Sequence, residues 1–516
     1  MVASSAMLAA IRSAAVQGID AYPVTVEVDA ANGLPQWTIV GLAAGAVKES
    51  RERVGAALVN AGLRLPPRRI TVNLAPADVR KDGTAFDLPI ALGVLVATGQ
   101  LAESAVDGRM YLGELGLDGT LRPVRGALPV ARLAAACGLP LVLPQPNVSE
   151  ASLVSGLSLH APLTLPELVA QLCNGGPPRL SSSCITPAAE RERLDLADVV
   201  GQGTAKRAME IAAAGSHNVL LVGPPGAGKT MLARRLPGIL PTLTEEEALE
   251  ATAIHSVAGT LAAGEAIIGA GPFRAPHHSI SDAGLIGGGN PPRPGEVSLA
   301  HRGVLFLDEM LEFRRGVLEA LRQPMEDGRV VIARAACAIA FPARFTLVGA
   351  MNPCPCGAAG DPTRACICAA PDIARYRARL SGPLADRIDM HVTVGAVSVR
   401  ALADRGDGEP SAVVRARVEG ARLRQRQRYG SASGVSCNAH AAGRWIDSRT
   451  PVEPLARELL AAAAERMALS ARGYHRVLKV ARTIADLDQE DAVSQAHVAE
   501  ALRYRPAVVT PISSPG

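Results

Sequence analysis

The sequence predicts a multidomain protein, with an α+β domain first, an α/β domain with a parallel sheet next and an all-helical domain last. The length of 516 residues suggests about three domains. Strand and helix periods alternate through residues 21–169, whereas apolar residues recur only at helical spacing beyond residue 412. We expect these boundaries: residues 1–173 for the first domain, 174–193 for a linker, 194–395 for the second domain, 396–506 for the third and 507–516 for a disordered tail.

The composition is that of a globular protein, with 48% hydrophobic residues. A net charge of +4 allows a local nucleic-acid-binding patch but does not by itself indicate one. The longest apolar run, Ile90–Ala97, is too short to cross a membrane, and the first residues lack the pattern of a secretory signal. Nine cysteines is an odd number, in a long chain with no export signal, so we expect no disulfide framework. Together these observations predict a cytoplasmic protein with no membrane partner.

The first domain shows strands and helices in turn. Val24–Val28 alternates like a half-buried strand, and Ile70–Leu74 reads as another strand. Residues from Ala46 to Ala61 have helical spacing that ends at Gly62, a residue suited to a helix C-terminus. Leu88–Ala97 predicts a second helix, so this segment is expected to have a core of its own.

The third domain is predicted from four stretches in which apolar residues fall on one helical face. The stretches are Val413–Tyr429, Pro454–Leu469, Arg472–Leu487 and Ala496–Tyr504.

A phosphate-binding loop marks the second domain. It follows the apolar run His217–Val222, which reads as a buried strand, and precedes the helical pattern Met231–Leu236. In such a loop the backbone N–H groups face phosphate oxygens, Lys229 carries a charge to the β- and γ-phosphates, and the Thr230 hydroxyl can bind Mg²⁺. The loop matches G-x-x-x-x-G-K-[ST] with Gly223, Pro224, Pro225, Gly226, Ala227, Gly228, Lys229 and Thr230.

Two further apolar strands end in polar side chains suited to nucleotide hydrolysis. Val304–Leu307 is followed by Asp308, which would hold Mg²⁺, and by Glu309, which would polarise the attacking water. The next strand, Phe345–Met351, ends in Asn352, which is placed to orient water near the γ-phosphate. Together with the phosphate-binding loop, these carboxylates indicate an ATPase.

Arg387 is the candidate arginine that completes the site. An arginine that reaches the γ-phosphate of a neighbouring subunit stabilises the charge of the transition state. The alternative is a structural ion pair of Arg387 with Asp386 or Asp389.

The order of these motifs resembles an AAA+ ATPase with a helical lid, and nearly the whole chain resembles the ComM/YifB family of magnesium chelatase-like proteins. The resemblance implies a hexameric ring that uses ATP and Mg²⁺ to move DNA, with a role in branch migration when transforming DNA is integrated. The stretches that carry it are Val199–Gln202, Phe273–His278, Gly295–His301, Asn352–Gly357 and Leu384–Asp389.

The resemblance implies roles for further residues. Val200 and Gly201 would border the adenine, and Arg472 of the lid would be a second sensor of the γ-phosphate, with Arg476 as the alternative. Pro276–Pro294 resembles an inserted loop of this clade. The segment from Val330 to Phe341 resembles a hairpin that precedes the first sensor and faces the ring pore. Its Arg334 would meet single-stranded or branched DNA, unless it is a solvated surface charge.

Four cysteines form a compact set, Cys354, Cys356, Cys366 and Cys368. Four thiolates suit a closed tetrahedral Zn²⁺ site, in which the metal has a structural role. The C-x-C spacing is tighter than the usual C-x₂-C, so reduced or transiently oxidised thiols are the alternative.

Two stretches of the first domain, Arg80–Pro89 and Gly113–Val124, resemble the active-site region of Lon-type proteases. The serine nucleophile of that family falls on Ala85 here, and its lysine falls on about Leu128. Neither side chain can serve as nucleophile or base, so we expect a Lon-like fold without peptidase activity. The sequence leaves two roles open for this domain, assembly and contact with DNA.

Two other functions compete with the DNA motor. One is the ATPase subunit of a metal-insertion complex, as in magnesium chelatase, or of a protein-remodelling complex. The other is a non-motor adaptor that uses nucleotide as an assembly switch, against which Glu309 and Arg387 speak.

Overall fold

The computed structural model describes residues 8–175, 194–261, 267–334, 337–360, 364–397, 408–430 and 435–505. The expected linker lies outside these ranges except for its first two residues, and the expected disordered tail lies outside them entirely. Within the described ranges, every helix is too short or too polar to cross a membrane.

The N-terminal region, residues 8–175, is built on a mixed four-stranded sheet. Its strands lie in the order Ala9–Gln17, Asp20–Ala31, Arg69–Ala75 and Gln36–Val40, of which the last two are parallel and the other neighbours antiparallel. Alternate residues of the second and third strands are buried, as expected for a sheet with one face on the core. The helix Asp87–Ala97 packs on that face and is buried along its whole length.

A second, smaller core in this region forms around the helix Ala127–Ala136, and the other elements pack on one core or the other. Met110–Tyr111, Leu141–Val142 and Leu159–His160 form a short parallel sheet, and Glu114–Leu115 pairs with Leu121–Arg122 in a hairpin. The other helices are Gly45–Lys48, Ser50–Asn60, Glu103–Val106, Ala127–Ala136, Val148–Ala151 and Leu165–Cys173.

The helix predicted from Ala46 to Ala61 is divided in the structure. It breaks at Glu49, the residue between Gly45–Lys48 and Ser50–Asn60. The predicted end is found, because Gly62 follows the second helix with φ +73°, a left-handed conformation that glycine adopts without strain.

The central region, residues 194–397, contains a five-stranded parallel sheet, which confirms the predicted sheet type. The strand order is Phe273–Arg274, Val304–Leu307, Thr346–Met351, Val219–Val222 and Met390–Thr393. Val304–Leu307 and Thr346–Met351 are buried at every residue, because helices cover both faces of a parallel sheet. The carboxyl ends of the strands therefore meet at one edge, where the chain places its polar loops.

Helices and two hairpins complete this region. Arg329–Arg334 pairs with Cys337–Pro342 in one hairpin, as predicted, and Gly287–Gly288 pairs with Arg293–Pro294 in the other. The helices are Gly203–Gly215, Lys229–Ala233, Leu236–Ile239, Glu245–Ala258, Asp282–Ile286, Glu296–Leu299, Arg315–Ala320, Arg322–Asp327, Ala370–Arg377 and Gly382–Ala385.

The C-terminal region, residues 408–505, is helical, as predicted. Its helices are Ser411–Tyr429, Gly443–Arg449, Pro454–Arg466, Ala471–Leu487 and Gln495–Arg503. The short helix Gly443–Arg449 was not predicted. Ser411–Tyr429 and Ala471–Leu487 pack directly on Gly203–Gly215 of the central region, so one hydrophobic core runs through both regions.

The N-terminal region also touches the central region. Leu128 and Leu153 pack against Ala253 of the helix Glu245–Ala258. At the end of that helix, Ser256 donates a hydrogen bond from its hydroxyl to the buried Glu150 carboxylate.

Candidate functional site

The phosphate-binding loop lies at the carboxyl edge of the sheet, between the strand Val219–Val222 and the helix Lys229–Ala233. Gly226 and Gly228 have φ of +78° and +88°, which other L-residues adopt only with strain. Gly223 is needed for space, because a Cβ there would lie 2.1 Å from the Val394 carbonyl oxygen. The glycine spacing of the motif therefore has a local steric cause.

The helix after the loop differs from its predicted bounds. It begins at Lys229 rather than Met231 and ends at Ala233. A second short helix, Leu236–Ile239, starts with Pro237 in its first turn. Proline has no N–H to continue the preceding helix, which explains the break.

Lys229 connects the loop to the neighbouring strand. Its Nζ donates hydrogen bonds to the carbonyls of Gly223 at 2.7 Å and Pro224 at 2.9 Å, and to Asn352 Oδ1 at 3.2 Å. Burial lowers the pKa of Lys229, while the charges of Asp308 and Glu309 act in the opposite direction. The ammonium group is thus held inside the loop where phosphate oxygens would arrive.

Thr230 and Asp308 form the candidate magnesium site. The Thr230 hydroxyl donates to Asp308 Oδ2 at 2.8 Å, which brings together two oxygen ligands of the kind Mg²⁺ prefers. The neighbouring Glu309 has a left-handed backbone, with φ +48°, and donates its N–H to Asp308 Oδ1 at 3.0 Å. Such strain in a non-glycine residue is typical of functional sites.

The segment predicted to border the adenine packs against the phosphate-binding loop. Gly201 has φ +65°, and Gln202 also has a left-handed backbone. The Gln202 side-chain amide donates to the carbonyls of Ala227 at 3.2 Å and Gly395 at 2.6 Å. Val200 and Gly201 are therefore held beside the loop by Gln202, a contact that the sequence motif did not reveal.

Arg387 and Arg472 meet at one carboxylate, that of Glu326. Arg387 pairs with Glu326 Oε2 and donates to the Pro383 carbonyl at 2.8 Å, and its side chain is 16% exposed. Arg472 lies 3.5 Å from Glu326 Oε1 and is 64% exposed. The alternative partners considered for Arg387, Asp386 and Asp389, are not the ones found. No local sequence signal marks Glu326, because its partners are distant in the chain.

Arg476, the alternative second sensor, is engaged elsewhere. Its Nη1 lies 3.7 Å from Asp389, whose other oxygen accepts the Asn218 N–H at 3.0 Å and lies 3.5 Å from His217 Nδ1. Burial would raise the pKa of Asp389, but His217 and Arg476 hold it well below its usual range. Arg476 therefore neutralises a buried carboxylate, and this favours Arg472 as the sensor.

The four cysteines predicted as a metal site come together in space. Their Sγ atoms all lie within 4.8 Å of one another. Among the described residues, these four cysteines are the group of His, Cys, Asp or Glu side chains that could hold a metal ion. The shorter separations are 3.4 Å for Cys354–Cys356, 3.6 Å for Cys354–Cys366 and 3.7 Å for Cys356–Cys366, and Cys368 completes the set.

The hairpin that carries Arg334 touches the N-terminal region. A Cβ on Gly18 would lie 3.1 Å from Ile339 Cγ2, and Ile19 packs against the core beneath the hairpin. Arg334 is the last residue of the first strand, but its side chain and residues 335–336 lie outside the described part of the chain.

Ala85 and Leu128, the residues expected at the positions of Lon catalytic residues, both pack among apolar side chains. Ala85 is partly buried at the edge of the smaller N-terminal core. Leu128 is fully buried at the contact with the central region. Its place in that contact gives Leu128 a packing role.

The protein is a P-loop protein of the AAA+ type. This class is defined by the parallel sheet, with the phosphate-binding loop and the carboxylates at one edge of the sheet. Three family models match along the chain: "Subunit ChlI of Mg-chelatase" over residues 26–147, "Magnesium chelatase, subunit ChlI" over 195–402, and "Magnesium chelatase, subunit ChlI C-terminal" over 408–505.

Comparison with individual proteins identifies the family more closely. The chain is 45% identical to "Competence protein ComM" of Haemophilus influenzae over 510 residues, which cover 97% of this chain and 98% of that protein. It is 42% identical to YifB of Escherichia coli over 96% of this chain and 97% of that protein. A magnesium-chelatase 38 kDa subunit of Cereibacter sphaeroides is 28% identical over 30% of this chain and 51% of its own length. The chain belongs to the ComM/YifB family of magnesium chelatase-like AAA+ ATPases.

Proposed function

We propose that this protein hydrolyses ATP and, as a hexameric ring, uses the energy to move along DNA. The observation that carries the ATPase is the contact of Lys229 with Asn352 beside the paired Thr230 and Asp308. These groups follow the carboxyl ends of three adjacent strands of the parallel sheet, the edge at which α/β folds bind their ligands.

Each residue of the candidate site has a separate role in hydrolysis. Lys229 leaves the carbonyls of Gly223 and Pro224 for the β- and γ-phosphate oxygens and offsets their charge. Thr230 and Asp308 would hold Mg²⁺, which would neutralise charge between those phosphates. Glu309 orients the attacking water and accepts its proton, and Asn352 fixes that water and the γ-phosphate.

Arg387 and Arg472 act on the nucleotide of the neighbouring subunit. In the described chain, both pair with Glu326 rather than with the carboxylates beside their own phosphate-binding loop. The Glu326 side chain is half exposed, and an arginine held by such a carboxylate can exchange it for a phosphate, which a guanidinium group binds in a similar bidentate way. The two arginines therefore move together from Glu326 to the adjacent γ-phosphate as the ring closes, and each complete site needs two subunits.

DNA is the proposed substrate of the motor. The support is the near full-length similarity to a protein named for competence, a process in which cells take up DNA. The hairpin of Arg329–Arg334 with Cys337–Pro342 is the proposed contact for the DNA backbone, and Arg334 is its proposed phosphate-binding residue. Branch migration during recombination or natural transformation is the activity we assign.

A second candidate is the ATPase subunit of a metal-insertion complex. The names of the three family models favour it, because all three refer to magnesium chelatase. The match to a magnesium-chelatase 38 kDa subunit covers only 30% of this chain, which favours the motor. A protein-remodelling complex is a related possibility.

Steady-state ATPase activity tests the proposal. Turnover is measured without DNA, with single-stranded DNA and with a four-way junction, at about 50 mM and about 200 mM salt. We expect stimulation by DNA that weakens at the higher salt, because basic side chains meet phosphates. Strong turnover that ignores both DNAs would exclude the motor and direct attention to a protein or porphyrin-binding partner. Negligible turnover of assembled rings would support the adaptor.

Two further assignments accompany this proposal. The four cysteines bind one structural Zn²⁺, since four thiolates leave no open position for chemistry. The N-terminal domain, residues 1–173, has no peptidase activity and serves assembly or DNA contact, because Ala85 and Leu128 stand where a nucleophile and base would be needed.

A further inference from the structure

The four thiols have the spacing of a zinc tetrahedron. Zn–S bonds of ~2.3 Å at the tetrahedral angle place the sulfur atoms about 3.8 Å apart. The measured Sγ separations among Cys354, Cys356 and Cys366 are 3.4–3.7 Å, and Cys368 lies within 4.8 Å of each. Closed tetrahedral thiolate sets of this size select zinc over hard cations such as Mg²⁺.

Backbone N–H groups support the sulfur atoms. The Ala359 N–H points to Cys354 Sγ at 3.3 Å, and the Cys356 N–H points to Cys368 Sγ at 3.4 Å. Hydrogen bonds of this kind stabilise the thiolate form that binds metal and orient it toward the ion. The loop is thus shaped around the sulfur atoms by its own backbone.

The same loop rests on the phosphate-binding loop. A Cβ on Gly357 would lie 2.6 Å from Pro225 Cδ, so the backbone at Gly357 packs directly on Pro225. At the other end, Cys354 follows Asn352 by two residues, and Asn352 accepts a hydrogen bond from Lys229 at 3.2 Å. The cysteine loop therefore touches the nucleotide site at two points.

Two described residues in the outer part of the cysteine loop face solvent. Cys366 is exposed, and Ile367 beside it is 84% exposed. A segment without a hydrophobic core is ordered by its metal, because metal binding supplies the free energy that burial does not.

We propose that zinc bound to these four cysteines holds the phosphate-binding loop in its nucleotide-binding shape, so that metal occupancy sets nucleotide affinity. The inference rests on the proposed ATPase function, and it adds regulation of nucleotide affinity by the metal. The metal acts at a distance through Gly357 and Pro225 and takes no part in hydrolysis.

The first test is the metal content and nucleotide affinity of the full-length protein. We expect about one zinc per chain in the wild type by elemental analysis. The double variant Cys356→Ser/Cys366→Ser should lose the zinc and bind a fluorescent ATP analogue about tenfold more weakly. Cys137→Ser/Cys173→Ser is the matched control, because these are exposed free cysteines of the N-terminal region. A wild-type protein without zinc would overturn the inference.

The second test leaves the metal ligands intact. Gly357→Ala should keep its zinc but lose about tenfold in nucleotide affinity, because the new methyl group and the strained backbone displace Pro225. Gly360→Ala is the matched control, since Gly360 has nearly the same φ, +80° against +78°, yet a Cβ there would meet nothing within 4 Å. Equal affinities in these two variants would overturn the coupling.

The outcomes separate this inference from the proposed function. A wild-type protein that holds zinc but binds no nucleotide would contradict the ATPase and leave nothing for the metal to control. A protein that binds nucleotide with the same affinity before and after a zinc-selective chelator removes the metal would keep the ATPase and overturn the coupling alone. Thermal unfolding of each variant shows whether a loss of affinity reflects a loss of fold.

Discussion

Arg387 and Arg472 contact the two different oxygens of one carboxylate, that of Glu326. Arg387 follows the short helix Gly382–Ala385, and Arg472 is the second residue of the long helix Ala471–Leu487. The central and C-terminal regions therefore meet at this carboxylate. If one arginine reaches a neighbouring nucleotide, the other is positioned to follow. The pairing therefore predicts that both act between subunits.

Mixing two inactive variants tests whether Arg387 acts on the neighbouring subunit. Lys229→Ala and Arg387→Ala should each be inactive alone, but an equal mixture should recover about one quarter of wild-type ATPase activity if subunits assemble at random in the ring. Recovery arises where a subunit with Lys229 receives the arginine of a subunit that keeps Arg387. The measurement is steady-state turnover after mixing and reassembly.

The control for that experiment mixes Lys229→Ala with Glu309→Gln. No pairing of these two subunits gives a complete site, because both residues act on their own subunit's nucleotide, so activity should stay low. Recovery here, or none with Arg387→Ala, would contradict the assignment of roles to the two sides of the interface.

Lys229→Ala should weaken nucleotide binding by about 10- to 100-fold, because charge-assisted hydrogen bonds to phosphate are lost. Titration with a fluorescent ATP analogue measures the effect. Arg234→Ala is the matched control, since Arg234 is an exposed cation directly after the same helix. Unchanged affinity in Lys229→Ala would exclude the proposed role of the loop.

Glu309→Gln should bind ATP and assemble, yet hydrolyse about 10²- to 10⁴-fold more slowly, as expected when a general base is removed. The change preserves shape and removes the charge that polarises water. Glu312→Gln serves for comparison, because Glu312 is exposed and pairs with Arg379 on the surface. If Glu309→Gln turned over ATP at nearly the wild-type rate, another group would have to activate the water.

His391 should make the protein less stable in acid. Burial lowers its pKa to about 4, and the positive charge of Arg505 adds to the effect, while Asp389 opposes it. Because the unfolded chain takes up this proton at about pH 6.5 and the folded chain only near pH 4, stability falls as pH drops through that window. Between pH 8 and pH 5 the loss from this residue is about 1–2 kcal/mol.

Chemical denaturation of the wild type and of His391→Gln at pH 8 and pH 5 measures this loss. The glutamine variant cannot titrate, so the free energy of unfolding should fall less between the two pH values than in the wild type. Equal losses would show that His391 is protonated in the folded state at pH 5.

The sequence was sufficient for those parts of the site that depend on neighbours in the chain. Asp308 and Asn352 each follow an apolar strand, and parallel strands bring such ends to one edge of a sheet. The contact of both arginines with Glu326 was not predictable, because it joins segments that are far apart in the chain. The break in the helix at Glu49 carried no strong local signal either, since neither glycine nor proline occurs there.

The missed helix, Gly443–Arg449, shows a different limit. It is only seven residues long, and Ile446 is its fully buried apolar side chain among those described. A periodic pattern cannot emerge from so few positions. The four cysteines show the reverse case, because their residue type and their closeness in the chain were enough to predict that the thiols would meet.

The central and C-terminal regions share one hydrophobic core, which limits the recombination events that this gene can tolerate. Val418 and Val477 of the C-terminal helices pack in one cluster with Ala212 of the central region. A recombination event that separated their coding segments would give two products, each with an exposed apolar face that favours aggregation. The N-terminal region has two cores of its own and shares only a small apolar cluster with the central region, so its separation would expose less apolar surface.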